Sequence, residues 1–211
     1  MRQIGLFVAL LAFSASAGEP HLQMRELQWE VRSAELASGM RVILQQDRSK
    51  PLVAVAVVID VGAASDPAGQ EGLAHLVEHL VFRTKPDGKR PHTDLLEIAG
   101  AGAWNAITEH DLTTYYALGS SDALSEILSL ELTCLLDPLK GIDQSTFDTE
   151  REVVRNELRE RNELGLVTAV STQLMASLYP PGHPYARPVI GTDGSLSRRT
   201  LENARAFVSE H

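Results

Sequence analysis

The apolar positions change period along the chain, and the changes mark its elements. Trp29–Leu36 and Arg41–Gln46 flank Ala37-Ser38-Gly39-Met40 and read as two strands joined by a glycine-containing turn. Leu52–Val61 is rich in Val and Ile, is bounded by Pro51 and Gly62, and reads as a buried strand. Beyond Gly72 the spacing becomes helical: Leu73, Leu76, Val77, Leu80 and Val81 predict a helix over 72–82. Thr93–Ala99 predicts a short helix with Thr93 as N-cap and Gly100 as the stop. Trp104–Thr108 and Leu112–Leu118 predict a hairpin around Glu109-His110-Asp111. The rest reads as helix. Asp122–Leu136 starts at the cap Ser121 and ends before Pro138. Ser145–Asn162 is long and charged, with Phe147, Val153, Val154 and Leu158 as its apolar stripe. Leu166–Tyr179 stops at Pro180, a proline-rich loop runs through Thr192, and a last helix runs from about Leu201 towards His211. Strands gather early and helices late, which is the α+β pattern: a mostly antiparallel sheet with helices packed on one face.

The start of the chain is an address. A short basic stretch ending at Gln3 precedes the apolar run Ile4–Phe13, and Ala15-x-Ala17 follows as a small-x-small cleavage site. That layout predicts a signal peptide over 1–17, a mature domain over 18–211, and an exported product, periplasmic or secreted. The apolar run is too short to span a bilayer, so no membrane span is expected in the mature chain.

Composition narrows the chemistry. The chain has 211 residues, 44% hydrophobic and 22% charged, with a formal net charge of −9. An acidic balance argues against nucleic acid as a partner, because phosphate binding needs a basic face. The single cysteine, Cys134, excludes an internal disulfide and a multi-cysteine zinc site, and its apolar surroundings predict a buried core thiol. Any metal must be held by histidines and carboxylates.

His75-Leu76-Val77-Glu78-His79 supplies such a set. On a helix, His75 and His79 lie one turn apart on the same face, the geometry for two imidazoles to grip one zinc ion. Glu78 lies beside them, placed to take a proton from a water that the zinc activates. Chance would place only about 0.02 copies of this motif in such a chain, so the spacing is informative. A zinc hydrolase needs a third protein ligand. Glu150 and Glu157 are two helical turns apart and share a face with Val153 and Val154, whereas Glu152 and Glu160 fall elsewhere on the wheel. Spacing alone favours a salt-bridged surface in which Glu150 and Glu157 pair with Arg151, Arg155, Arg159 and Arg161, and it does not choose between Glu150 and Glu157 as a ligand.

Taken together these residues resemble the pitrilysin-type zinc metallopeptidases, the inverzincin family that includes insulin-degrading enzyme and the mitochondrial processing peptidases. The resemblance rests on His75-x-x-Glu78-His79 and its flanks, on Asn105-Ala106-x-Thr108-x-x-Asp111-x-Thr113-x-Tyr115, and on Glu150-Arg151-x-Val153-Val154-x-x-Glu157. His183-Pro184-Tyr185 and Pro188-Val189-Ile190-Gly191-Thr192 extend it, so that it covers about Glu30 to His211. It implies a zinc metalloendopeptidase domain with one zinc per chain, held by His75, His79 and Glu157. It implies Glu78 as general base and Glu150 as the group that orients a ligand or supports the water. Peptide or small-protein substrates would add a strand at the sheet edge near Asn105 and Ala106. The fold implied is the N-terminal catalytic domain alone, a processing-peptidase-like half-clamshell. A further strand, a second similar domain or subunit and a distant Arg/Tyr pair would complete it. The alternative is a non-catalytic structural or partner subunit of such a two-half complex.

The segment Arg83-Thr84-Lys85 departs from the family pattern and is expected to carry no chemistry. His183 reads as a structural loop residue, and His21, His92, His110 and His211 lack ligand spacing.

Overall fold

The computed structural model describes residues 30–164 and 166–211. The expected signal peptide over 1–17 and the expected strand start at Trp29 lie outside the described residues. No helix among the described residues is long and apolar enough to cross a membrane.

The chain divides at Ser49–Lys50 into two compact units. In the first, β1 (Glu30–Glu35) pairs antiparallel with β2 (Arg41–Gln46), from Glu30 opposite Gln46 to Glu35 opposite Arg41. Gly39 closes the turn at φ +86°, a conformation that a side chain would strain.

The second unit holds β3 (Leu52–Ile59), β4 (Ala101–Thr108) and β5 (Thr113–Ser120) as an antiparallel sheet in the order β3-β5-β4. Its helices are α1 (Leu73–Arg83), α2 (His92–Ile98), α3 (Leu124–Leu136), α4 (Gln144–Leu164), α5 (Leu166–Leu178), α6 (Asp193–Leu196) and α7 (Leu201–Glu210). This is the α+β arrangement that the changes of period predict. One core joins Leu76 and Leu80 of α1, Phe147 and Val154 of α4, Ala204 and Phe207 of α7, and Ala106 and Tyr115 of the sheet. A second packs Val55 and Ala117 against Leu96 of α2 and Ile127 of α3.

Several local readings are corrected. Along β3 only Val55 is buried, and Leu52 and Val58 are 63% and 59% exposed. An apolar run does not reveal how many of its faces are covered; here α3 packs on the face that carries Val55, and period-2 alternation turns the neighbouring side chains away. Val153 points outward, 40% exposed, so the inward stripe of α4 is Phe147, Glu150, Val154 and Leu158. α2 begins at His92 after Pro91, so Thr93 lies in the first turn and caps nothing. Ser121 opens a short 3-10 turn, and α3 itself starts at Leu124. Cys134 is a free, fully buried thiol, as its surroundings predict.

The start of α1 is held from two sides. Asp66 is buried and accepts the backbone N–H groups of Gly72 (2.7 Å) and Ala74 (2.8 Å), satisfying donors that a helix start leaves open. From the other side the backbone of Ile190-Gly191 presses against Glu71-Gly72. A Cβ on Gly72 would sit 2.5 Å from the Ile190 carbonyl, and one on Gly191 would sit 2.4 Å from the Glu71 carbonyl. Both glycines have positive φ. The loop after α5 therefore fixes the height at which α1 enters the core.

His92 and Glu131 form a fully buried pair, with Nε2 3.8 Å from Oε2. Burial pushes His92 down to about 4 and Glu131 up to about 7, so folding moves the pair's proton onto the carboxyl. Tyr115 and Cys134, whose deprotonation Glu131 also opposes, stay neutral beside it. The raised carboxyl adds stability that is complete below its unfolded value and lost as pH rises through about 7. The depressed imidazole adds stability present above its unfolded value and lost as pH falls towards about 4. Between roughly pH 4.5 and 6.5 the two contributions cancel. Glu131→Gln removes only the first. Urea denaturation should show the variant losing stability relative to the parent by about 1.4 kcal/mol per pH unit as pH falls through that window.

Candidate metal centre

α1 presents its motif towards α4. His75 and Glu78 are each only 6% exposed, and the side-chain donors of His75, Glu78 and His79 all lie within 4.8 Å of one another. The two imidazole rings meet edge to face, with centroids 4.9 Å apart. α4 packs against α1 through Phe147, Val154 and Leu158, and that contact sets the two glutamates opposite the two histidines. Glu157 Oε2 is 3.8 Å from His75 Nε2 and 3.4 Å from His79 Nε2. Glu150 Oε2 is 3.5 Å from His79 Nδ1, on the far side of that ring. The structure thus brings together His75, Glu78, His79, Glu150 and Glu157.

The salt-bridged-surface reading of α4 describes its other face. Arg155 binds Glu152 and Asp193, Arg159 reaches Asp193, and Arg151 donates to the Arg199 carbonyl. Only Arg161 turns to the centre, pairing with Glu157. Arg83 enters from α1: its Nε lies 2.7 Å from Glu150 Oε1. The segment after the motif, expected to be inert, therefore anchors one carboxylate of the centre and forms the charge chain Arg83–Glu150–His79.

The electrostatics describe a place that wants positive charge. Burial, reinforced by His79, pushes His75 down to about 4. Burial would lower His79 as well, but the facing Glu150 and Glu157 carboxylates hold it up to about 9. Against its own burial, Glu157 is held down to about 2 by His79, His75 and Arg161. Glu150 is lowered by His79 and Arg83. Glu78 goes the other way: burial raises it, and hydrogen bonds from Thr108 only partly oppose this.

These residues suit a zinc ion. In tetrahedral coordination with bonds of 2.0–2.1 Å, ligand atoms lie about 3.4 Å apart, close to the 3.4 and 3.8 Å between Glu157 Oε2 and the two Nε2 atoms. His75 Nε2 faces the Glu157 carboxylate at 3.8 Å, beyond hydrogen-bond reach. A cation would satisfy that face of the ring. Imidazole and carboxylate are also the donors expected where no thiolate is in reach.

β4 borders the centre. A β-bulge between Ala101 and Ala103 inserts one residue and switches the side-chain parity of the strand. Ala106 and Thr108 consequently face the helices, opposite Tyr115 and Thr113. Ala106 is buried under α1, whereas Asn105 is exposed. Among the described strands β4 pairs only with β5, so its other edge has no strand partner there. Thr108 Oγ1 donates to Glu78 Oε2 at 2.5 Å. Sequence reasoning missed this contact and that of Arg83. Both residues lie within or beside quoted motifs, and that proximity was the available signal. His183 behaves as a loop residue, its Nδ1 accepting from the Tyr185 backbone N–H. Tyr185 in turn donates to Asp111 in the β4–β5 turn.

Comparison with known proteins gives a consistent picture. A family model described as insulinase, peptidase family M16, matches residues 41–193. An uncharacterized zinc protease of Mycobacterium tuberculosis is 30% identical over 178 residues, covering 83% of this chain and 39% of that protein. Insulin-degrading enzyme of Bos taurus is 30% identical over 187 residues, covering 88% of this chain and 18% of that protein. The crystal structure of a protease from Helicobacter pylori superposes with a TM-score of 0.75 at 25% identity, covering 86% of this chain and 43% of that one. The chain thus spans about two fifths or less of the length of these relatives.

Proposed function

Because the chain belongs to the insulinase family of peptidases, family M16, we propose that it is the zinc-binding domain of a metalloendopeptidase that hydrolyses extended peptides or small proteins. The observation that carries this reading is the convergence of His75 Nε2, His79 Nε2 and Glu157 Oε2 beside the buried Glu78. His75, His79 and Glu157 would hold one zinc ion. When bound, the ion lowers the pKa of a water and polarises the scissile carbonyl.

The chain's own residues do the rest. Glu150, braced by Arg83, faces His79 Nδ1 at 3.5 Å and so favours the imidazole orientation with Nε2 towards the centre. Glu78, raised by burial, is a carboxylate with a real appetite for a proton. It takes one proton from water as the water oxygen bonds to the carbonyl carbon. It then hands the same proton to the amide nitrogen as the C–N bond breaks, so peptide plus water becomes acid plus amine. The edge of β4 at Asn105 and Ala106, which has no strand partner among the described residues, suits a substrate strand that binds by main-chain hydrogen bonds, with little demand on sequence. The lengths of the relatives support a second similar domain or subunit as the partner that closes over the substrate. The N-terminal pattern supports export to the periplasm or beyond, with cleavage near Ala17. N-terminal sequencing of the exported product should therefore begin near Gly18.

The test is zinc titration of the purified protein alongside cleavage of an unstructured fluorogenic peptide. One zinc per chain is expected, with cleavage that a chelator removes and zinc restores. Zinc binding without cleavage, alone and with a second M16-type domain supplied, would favour a non-catalytic partner subunit instead. An absence of zinc binding would overturn the peptidase reading and leave the non-catalytic subunit as the alternative.

A further inference from the structure

The contact of Thr108 with Glu78 goes beyond the ligand set. Thr108 ends β4, directly opposite Thr113 in the hairpin register. Its hydroxyl carries one proton and has two acceptors in range, Glu78 Oε2 at 2.5 Å and Thr113 Oγ1 at 3.4 Å. Thr113 is already committed, donating to the Val61 carbonyl at 2.9 Å. That bond fixes the Thr113 oxygen as an acceptor and ties the pair to the chain just after β3. The shorter contact takes the Thr108 proton. A β-branched residue is stiff about χ1, so the donor direction is set by the strand rather than by a mobile side chain. The strand in turn holds Thr108 on the helix-facing side only because of the bulge at Ala101/Ala103.

We infer that Thr108 is the positioning residue for Glu78. It occupies Oε2 and stops the carboxylate from rotating, leaving Oε1 as the oxygen that receives the proton of the attacking water. The inference rests on the reading of Glu78 as general base. It adds that the base is aimed by the sheet, across the floor of the site, and not by the helix that carries it. Glu78 needs such a support because neither α1 nor α4 provides it with a donor among the contacts of the described residues, whereas the other carboxylates of the centre have Arg83 and Arg161. An unheld carboxylate in a buried site would sample rotations that place its basic oxygen out of line, and a displacement of that order costs orders of magnitude in rate.

Three variants test it. Thr108→Val keeps the shape of the side chain and removes the hydroxyl; Thr108→Ser keeps the hydroxyl; Glu78→Gln is made in the same series. Thr108→Val should lower kcat for an unstructured peptide by about 10- to 100-fold, with KM and zinc affinity unchanged. Thr108→Ser should recover most of the loss. In the Glu78→Gln background, Thr108→Val should cost nothing further. Crystal structures of the zinc-loaded variants provide a readout independent of turnover: one Glu78 rotamer in the parent and in Thr108→Ser, and several in Thr108→Val. A Thr108→Val protein with parental kcat and a single Glu78 rotamer would overturn the inference, as would one whose losses lie in KM or zinc affinity and are not rescued by Ser. Full activity in Glu78→Gln would instead defeat the assignment of the base itself.

Discussion

Replacing Glu78 by glutamine is expected to remove peptide cleavage while leaving the protein folded and able to bind zinc. Glutamine matches the carboxylate in size, and its amide oxygen can still accept the Thr108 hydroxyl, so the packing around α1 need not change. The substitution removes only the ability to accept a proton. General base catalysis by a positioned side chain contributes about 10²–10⁴-fold, and the loss in kcat should fall in that range. Zinc affinity should stay within a few fold, because the atoms facing Glu157 are the imidazole Nε2 atoms and not the Glu78 carboxylate. Steady-state cleavage of a fluorogenic peptide, paired with zinc quantitation on the same preparations, checks both halves. A variant that keeps its zinc and cleaves like the parent would remove Glu78 from the mechanism. Removal of a buried carboxylate whose ionised form is disfavoured should leave stability equal to the parent's or slightly higher at neutral pH.

The two acidic residues of α4 should separate cleanly in their effect on zinc. Glu157 Oε2 faces the Nε2 atoms of both histidines, whereas Glu150 reaches only the outer nitrogen of His79 and is held by Arg83. Loss of an outer partner of a metal-bound histidine costs about 10- to 100-fold in metal affinity. Glu150→Gln is expected in that range, and Glu157→Gln, which removes the proposed third ligand, should exceed it. Competition titrations with a chromophoric chelator measure both. Equal losses, or the reverse order, would assign the third ligand wrongly. Glu150→Gln carries a second signature. It leaves the Arg83 guanidinium without its partner, so a Glu150→Gln/Arg83→Met double variant should recover part of any stability lost by the single change.

How much of this could be read without the fold varies with the distance over which each contact acts. The α1 motif was legible because its geometry is local: residues four apart on a helix share a face wherever that helix sits. The strand–turn–strand of 30–46 and the hairpin of β4 and β5 were legible for the same reason, since alternation and turn residues are neighbours in sequence. The choice between Glu150 and Glu157 was not legible from spacing. Glu150 and Glu157 share one helix face, and only the level at which α4 crosses α1 decides which meets the two Nε2 atoms and which meets Nδ1. Arg83 and Glu150 are 67 residues apart, and Thr108 and Glu78 are 30 apart across a bulge that no periodicity announces. The burial of β3 was misread because apolar residues on both faces of a strand say nothing about which face a helix covers.

The amino-acid sequence by itself determined the order and type of most elements, the α+β class, the placing of His75, Glu78 and His79 together on one helix, and the exclusion of a multi-cysteine metal site. Each of these follows from residue type or from spacings shorter than a single element. Only the tertiary structure decided which carboxylate of α4 meets which imidazole nitrogen, that Arg83 braces Glu150, and that Thr108 reaches Glu78. Those contacts join separate elements, and their geometry is set by how the apolar stripes of α1, α4 and the sheet pack together. The packing of Phe147 and Val154 with Leu76 and Leu80 in one core sets two glutamates of a charged helix opposite the two histidines of α1.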